Sequence, residues 1–126
     1  MVDLKKHITH WHTGAFEDLE VACSLMEQGK IRHSLFFAHL ALEKMLKAHY
    51  CRTQSEIAPM IHNLLRLADK AGILLKDKDR DLLAECNAFN IEGRYPELFL
   101  PLPSRSEADR YIADIKELIE CLNQMF

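Results

Sequence analysis

From Gly29 to Arg52 the chain reads GKIRHSLFFAHLALEKMLKAHYCR, an apolar segment at helical spacing that carries a row of polar groups. Apolar residues cover more than one face of such a helix, so it belongs in the middle of a bundle. There Arg32, His39, Glu43 and Lys47 must either pair with one another or face a cleft. At about 100° per residue, Arg32, Phe36, His39, Glu43, Lys47 and Tyr50 fall within about a quarter of the helix circumference. That stripe is where the chemistry of the chain is expected.

The flanking sequence continues the helical pattern. Over residues 5–28 apolar side chains recur at Ile8, Trp11, Ala15, Leu19, Ala22, Cys23 and Met26, with Gly29 as the expected C-cap. A second helix over 31–52 begins almost at once, and so short a connection makes the two antiparallel neighbours. TQSEIAP reads as a loop broken at Pro59, followed by a short helix over 61–71 that Gly72 ends. Asp77 and Asp79 lead a fourth helix over 77–91, with Leu82, Leu83, Cys86 and Phe89 inward. GRYPELFLPLPS cannot continue it, because Pro96, Pro101 and Pro103 remove donors and restrict the residues before them. Ser104 and Glu107 form a capping box for a last helix running to about Met125. The expected fold is all-α, an antiparallel up-down four-helix bundle with one additional short helix, in which the 31–52 helix is the most buried.

A chain of 126 residues suits one domain over residues 1–126, with a core that needs no disulfide. The net charge of -3 argues against nonspecific binding of polyanions, so any nucleotide or RNA contact must come from a local basic cluster. Cys23, Cys51, Cys86 and Cys121 form no CxxC pair and read as reduced core thiols. No apolar run approaches the roughly 18 residues of a bilayer span, and MVDLKKHITHWH lacks the apolar core of a signal peptide, so a cytoplasmic protein is expected.

SLFFAHLALEKMLKAHY resembles the HEPN family, which has a small-and-aromatic run followed by Ala-x-Glu-Lys-x-x-Lys-Ala at this point. WHTGAFEDLEVA is similar to the family's first helix, IHNLLRLA to the His-x-Leu opening its third, and NAFNIEGRYPE to the end of its fourth. The resemblance implies a helical bundle, often homodimeric, encoded beside a minimal nucleotidyltransferase as a nucleotide-handling or toxin-antitoxin-like pair. Some relatives cut RNA without a metal, using an Arg followed four to six positions later by a His. After Arg94 this chain has no such His, since Phe99, Leu100 and Pro101 stand there. That departure leans the reading away from an enzyme.

Arg32 and His39 share a helix face and offer a phosphate clamp and a proton carrier, the elements of a metal-independent ribonuclease. Glu43 and Lys47 are an i,i+4 pair; Glu43 either satisfies a buried cation or orients Lys47 toward a phosphate, and both readings put a cation on Glu43. Arg94 and Tyr95 follow the fourth helix, where Gly93 permits a left-handed C-cap; Arg94 either caps that helix or meets a phosphate beside a base stacked on Tyr95, with Asn90 bonding back. His62 reads as a local backbone partner. His7, His10 and His12 do not share one face, so no metal is expected, and no phosphate-cradling loop or serine-type triad suggests a cofactor. The leading reading is a helical partner of a minimal nucleotidyltransferase, holding nucleotide or RNA phosphate through Arg94, Tyr95, Lys47, Glu43 and Asn90. The alternatives are a ribonuclease on Arg32 and His39, or a dimeric interaction module with no small-molecule site.

Overall fold

Only Gln28, Gly29 and Lys30 separate the first two helices, α1 (Leu4–Glu27) and α2 (Ile31–Gln54), and this hairpin frames everything else. The computed structural model describes residues 3–94 and 101–126, and side chains over 3–90 and 101–126. Asp3 caps α1 by accepting from the Lys6 amide at 3.2 Å. At the other end Gly29, one residue beyond the cap Gln28, takes φ +76°. Its amide donates to the Met26 carbonyl at 3.0 Å and the Lys30 amide to Leu25 at 2.9 Å, a closure that turns the chain back on itself. Gly72 at φ +71° ends α3 (Leu64–Lys70) in the same way.

α3 starts three residues later than the apolar pattern predicts, because the Asn63 side chain caps it by accepting from the Arg66 amide at 3.1 Å. α4 (Asp77–Arg94) runs longer than expected and carries Gly93 inside the helix rather than as a left-handed cap. α5 (Arg105–Gln124) opens with the expected box: Glu107 amide to Ser104 Oγ at 3.1 Å, and Ser104 amide to Glu107 Oε1 at 3.2 Å. The proline-rich segment that cannot continue α4 falls largely on residues 95–100, outside the described residues. Among the described residues there is no strand, and no helix is long and apolar enough to cross a membrane.

Among the described residues, α2 is the one helix that packs against each of the other four, which gives the all-α antiparallel bundle its centre. Leu35, Leu42, Met45 and Leu46 are sealed in the core beside Ala15 and Ala22 of α1, Leu64 and Leu67 of α3, Leu83 and Cys86 of α4, and Ile115, Ile119 and Leu122 of α5. Small residues at the α1–α2 seam let backbones approach: Ser34 Oγ donates to the Ala22 carbonyl at 2.6 Å, and Lys44 meets Asp18 at 2.8 Å. All four cysteines are free. Cys51 and Cys86 are core thiols, and burial pushes the Cys86 thiol well above its ordinary range; Cys121, expected inside, is exposed on α5.

The end of α5 is tied down from two helices. His49 Nε2 donates to the Leu122 carbonyl at 2.7 Å, His12 Nε2 to Asn123 Oδ1 at 2.6 Å, and Arg52 to the Met125 carbonyl at 2.6 Å. The Phe126 ring packs on His49 with centroids 4.1 Å apart. Burial holds His49 below the ordinary imidazole value of 6.5, an effect the bond to Leu122 only partly offsets. The folded state therefore binds fewer protons here than the unfolded chain, so stability is complete above the unfolded value and falls as pH drops through about 6.5. Urea melts between about pH 7 and about pH 5 should show this slope, and His49→Gln, which keeps a donor for Leu122, should flatten it. An equally steep slope in the variant would assign the pH sensitivity to other groups.

Candidate functional site

On α2, His39, Glu43 and Lys47 stand four residues apart and so share one face. All three are buried, with exposures of 0%, 5% and 6%. Lys47 Nζ donates to Glu43 Oε2 at 3.1 Å, the cation that both sequence readings require. The same ammonium lies 5.0 Å from the centroid of the Trp11 ring on α1, whose π face adds to its stabilisation. One carboxylate and one ammonium thus cancel in charge inside the bundle.

The segment between α2 and α3 lies across this stripe. His62, expected to make only a local backbone bond, donates from Nδ1 to Glu43 Oε1 at 3.0 Å. Its own carbonyl accepts from His39 Nε2 at 3.1 Å, while His39 Nδ1 stands 3.9 Å from Glu43 Oε1. The His62 backbone and ring are both clasped by α2, yet the side chain remains 50% exposed. With Nδ1–H donated to the carboxylate, Nε2 is the remaining polar atom of the ring, an acceptor when the ring is neutral and a donor when it carries a second proton.

Beside His62 opens a cleft of about 190 Å³ lined by His62, Asn63, Asn87 and Asn90. Its walls are joined to each other. Asn87 Oδ1 accepts from the Leu64 amide at 2.8 Å, and Asn87 Nδ2 donates to Asn63 Oδ1 at 3.4 Å. The α3 cap and α4 are therefore held in register, and the cleft presents amides and an imidazole on a fixed frame.

Of the residues singled out from sequence, Glu43 and Lys47 meet directly, His39 adjoins them, and Asn90 lines the cleft. Arg32 is half-buried near the start of α2 and makes no ion pair with another described residue. Arg94 is the last residue of α4, four positions past Asn90, but its side chain and all of Tyr95 lie outside the described residues. His62, Asn63 and Asn87 were missed. Reading the third helix from residue 61 put His62 inside a helix; the Asn63 cap moves it into the loop that crosses α2. In the amino-terminal histidine group, His10 stacks edge-on against Trp11 at 4.9 Å and His12 bonds Asn123, and no metal-binding cluster occurs among the described residues.

A family model described as HEPN domain matches residues 8–125. Among solved structures, the fold is similar to TT1696 from Thermus thermophilus, with a TM-score of 0.80 over 94% of this chain and 98% of that one. The two are 17% identical, so this likeness speaks to the fold alone. Comparison with curated proteins finds no match.

Proposed function

The chain belongs to the HEPN domain family, and from that premise we propose that it is the helical partner of a minimal nucleotidyltransferase, binding a nucleotide or RNA phosphate. In this reading residues 1–126 form one cytoplasmic domain that pairs with a second copy of itself, and the two proteins make a nucleotide-handling or toxin-antitoxin-like pair. The observation that carries it is the cleft lined by His62, Asn63, Asn87 and Asn90. Amide and imidazole groups can hydrogen-bond phosphate oxygens and base edges together, and α4 brings Arg94 four residues beyond Asn90. Lys47 supplies a positive charge that balances Glu43, and Tyr95 offers a ring for a base to stack on.

The competing reading, a ribonuclease on Arg32 and His39, asks more of the fold. His39 is wholly buried with Nε2 on the His62 carbonyl, so its ring would reach a substrate only after the α2–α3 segment lifted.

Arg94→Ala should weaken binding of a labelled RNA oligonucleotide or a mononucleotide by about 1.5 to 3 kcal/mol while leaving thermal unfolding unchanged, as expected for loss of a charge-assisted hydrogen bond. Fluorescence anisotropy measures it, and unchanged affinity would assign Arg94 to capping α4. Identifying the product of the adjacent gene, and testing whether it is a minimal nucleotidyltransferase that co-purifies with this chain, checks the pairing itself.

A further inference from the structure

The Glu43–His62 arrangement has more order than a passive cleft wall needs. A buried carboxylate fixes the ring through Nδ1 at 3.0 Å, the His62 carbonyl is pinned by His39 at 3.1 Å, and half of the side chain still faces solvent at a cleft. The charge around it is also set. Glu43 is already balanced by Lys47 at 3.1 Å, so a proton added to His62 leaves the cluster with a net positive charge at the cleft mouth. Among the described residues, His39 on the helix of Glu43 meets the His62 backbone, and the neutral amides of Asn63, Asn87 and Asn90 from the α3 cap and α4 line the cleft beside the ring. No carboxylate other than Glu43 meets His62 among the described residues.

We infer that His62, oriented by Glu43, is the proton-linked contact for a phosphate ester in this cleft. The inference rests on the phosphate-binding reading above and names the residue and the protonation state that perform it. An incoming phosphate oxygen needs a donor where the neutral ring presents the Nε2 lone pair. Binding therefore draws one proton from solvent onto Nε2, which then donates to the phosphate while Nδ1–H stays on Glu43. Lys47 occupies Glu43 Oε2, which leaves Oε1 as the acceptor for Nδ1–H. The Asn87–Asn63 bond holds the opposite wall at fixed distance, which suits a small anionic group better than a bulky apolar one.

Two probes separate the sources of such a phosphate: uridine monophosphate by calorimetry, and a fluorescein-labelled single-stranded oligouridylate by anisotropy. At least one should bind the wild-type protein several-fold more tightly at about pH 5.5 than at about pH 8, the interval in which imidazoles take up a proton. Calorimetry of the oligouridylate, whose diesters do not titrate in this interval, in buffers of different ionisation heat at about pH 8 should record uptake of up to one proton per protein site occupied. His62→Gln keeps a hydrogen-bonding group without a titration and should bind with the pH dependence lost. In the free protein at about pH 8, nitrogen-15 shifts should identify the Nδ1–H tautomer of His62. Binding with an undiminished pH slope in His62→Gln, or the Nε2–H tautomer in the free protein, would overturn this inference and leave phosphate binding standing. Failure of both probes to bind the wild type at either pH would overturn the phosphate-binding reading and this inference with it.

Discussion

Glu43→Leu is expected to destabilise the protein by about 3 to 5 kcal/mol, the cost of leaving a buried charge without its partner. Lys47 Nζ would lose its 3.1 Å carboxylate in a setting where the side chain is only 8% exposed, and His62 would lose the group that orients it. Against a typical domain stability of about 5 to 15 kcal/mol, that is a large fraction. The double variant Glu43→Leu, Lys47→Met should recover most of the loss, because apolar residues of similar volume replace a buried pair at little net cost. Urea unfolding of the wild type, of each single variant (Glu43→Leu and Lys47→Met) and of the double variant completes the cycle. A single-variant loss within about 1 kcal/mol would mean that the Lys47 ammonium escapes to water along its flexible stem.

Leu46→Ala should lower stability by about 3 kcal/mol and the melting temperature by about 10 °C, since it opens a cavity in the most enclosed part of the core. Leu46 is 0% exposed on the helix that packs against all the others, so little can collapse into the space. Leu74, a residue of the same type in the α3–α4 connection, is 93% exposed, and its replacement by alanine should stay within about 0.5 kcal/mol. Calorimetric scans of both variants make the comparison, and similar losses would place the real core elsewhere.

The bundle could be read from the sequence because each helix announces itself locally. Apolar spacing marks α1, α2 and α5, Ser104 and Glu107 write out a cap, and Gly29 marks a reversal. The central place of α2 followed from the same logic, since residues as polar as Glu43 and Lys47 on an otherwise apolar helix must have partners close by. The candidate site was only half legible for a matching reason. His39, Glu43 and Lys47 lie on one helix, where spacing reports position, whereas His62 reaches Glu43 across 19 residues of chain. Nothing periodic records that crossing. The one local clue was Asn63, a strong cap that competes with the apolar pattern and fixes where the helix begins.

The clasp on the end of α5 bears on the order in which the chain assembles. α1 and α2 are joined by three residues and can pair with little loss of chain entropy, whereas His12 meets Asn123 across 111 positions and His49 meets Leu122 across 73. Closing those long loops is worthwhile only once the α1–α2 hairpin already presents both histidines, so the final helix is expected to dock late and undock early. The last helix thus acts as a seal on the bundle, and amides in the final turn of α5 should exchange with solvent faster than those in the middle of α2.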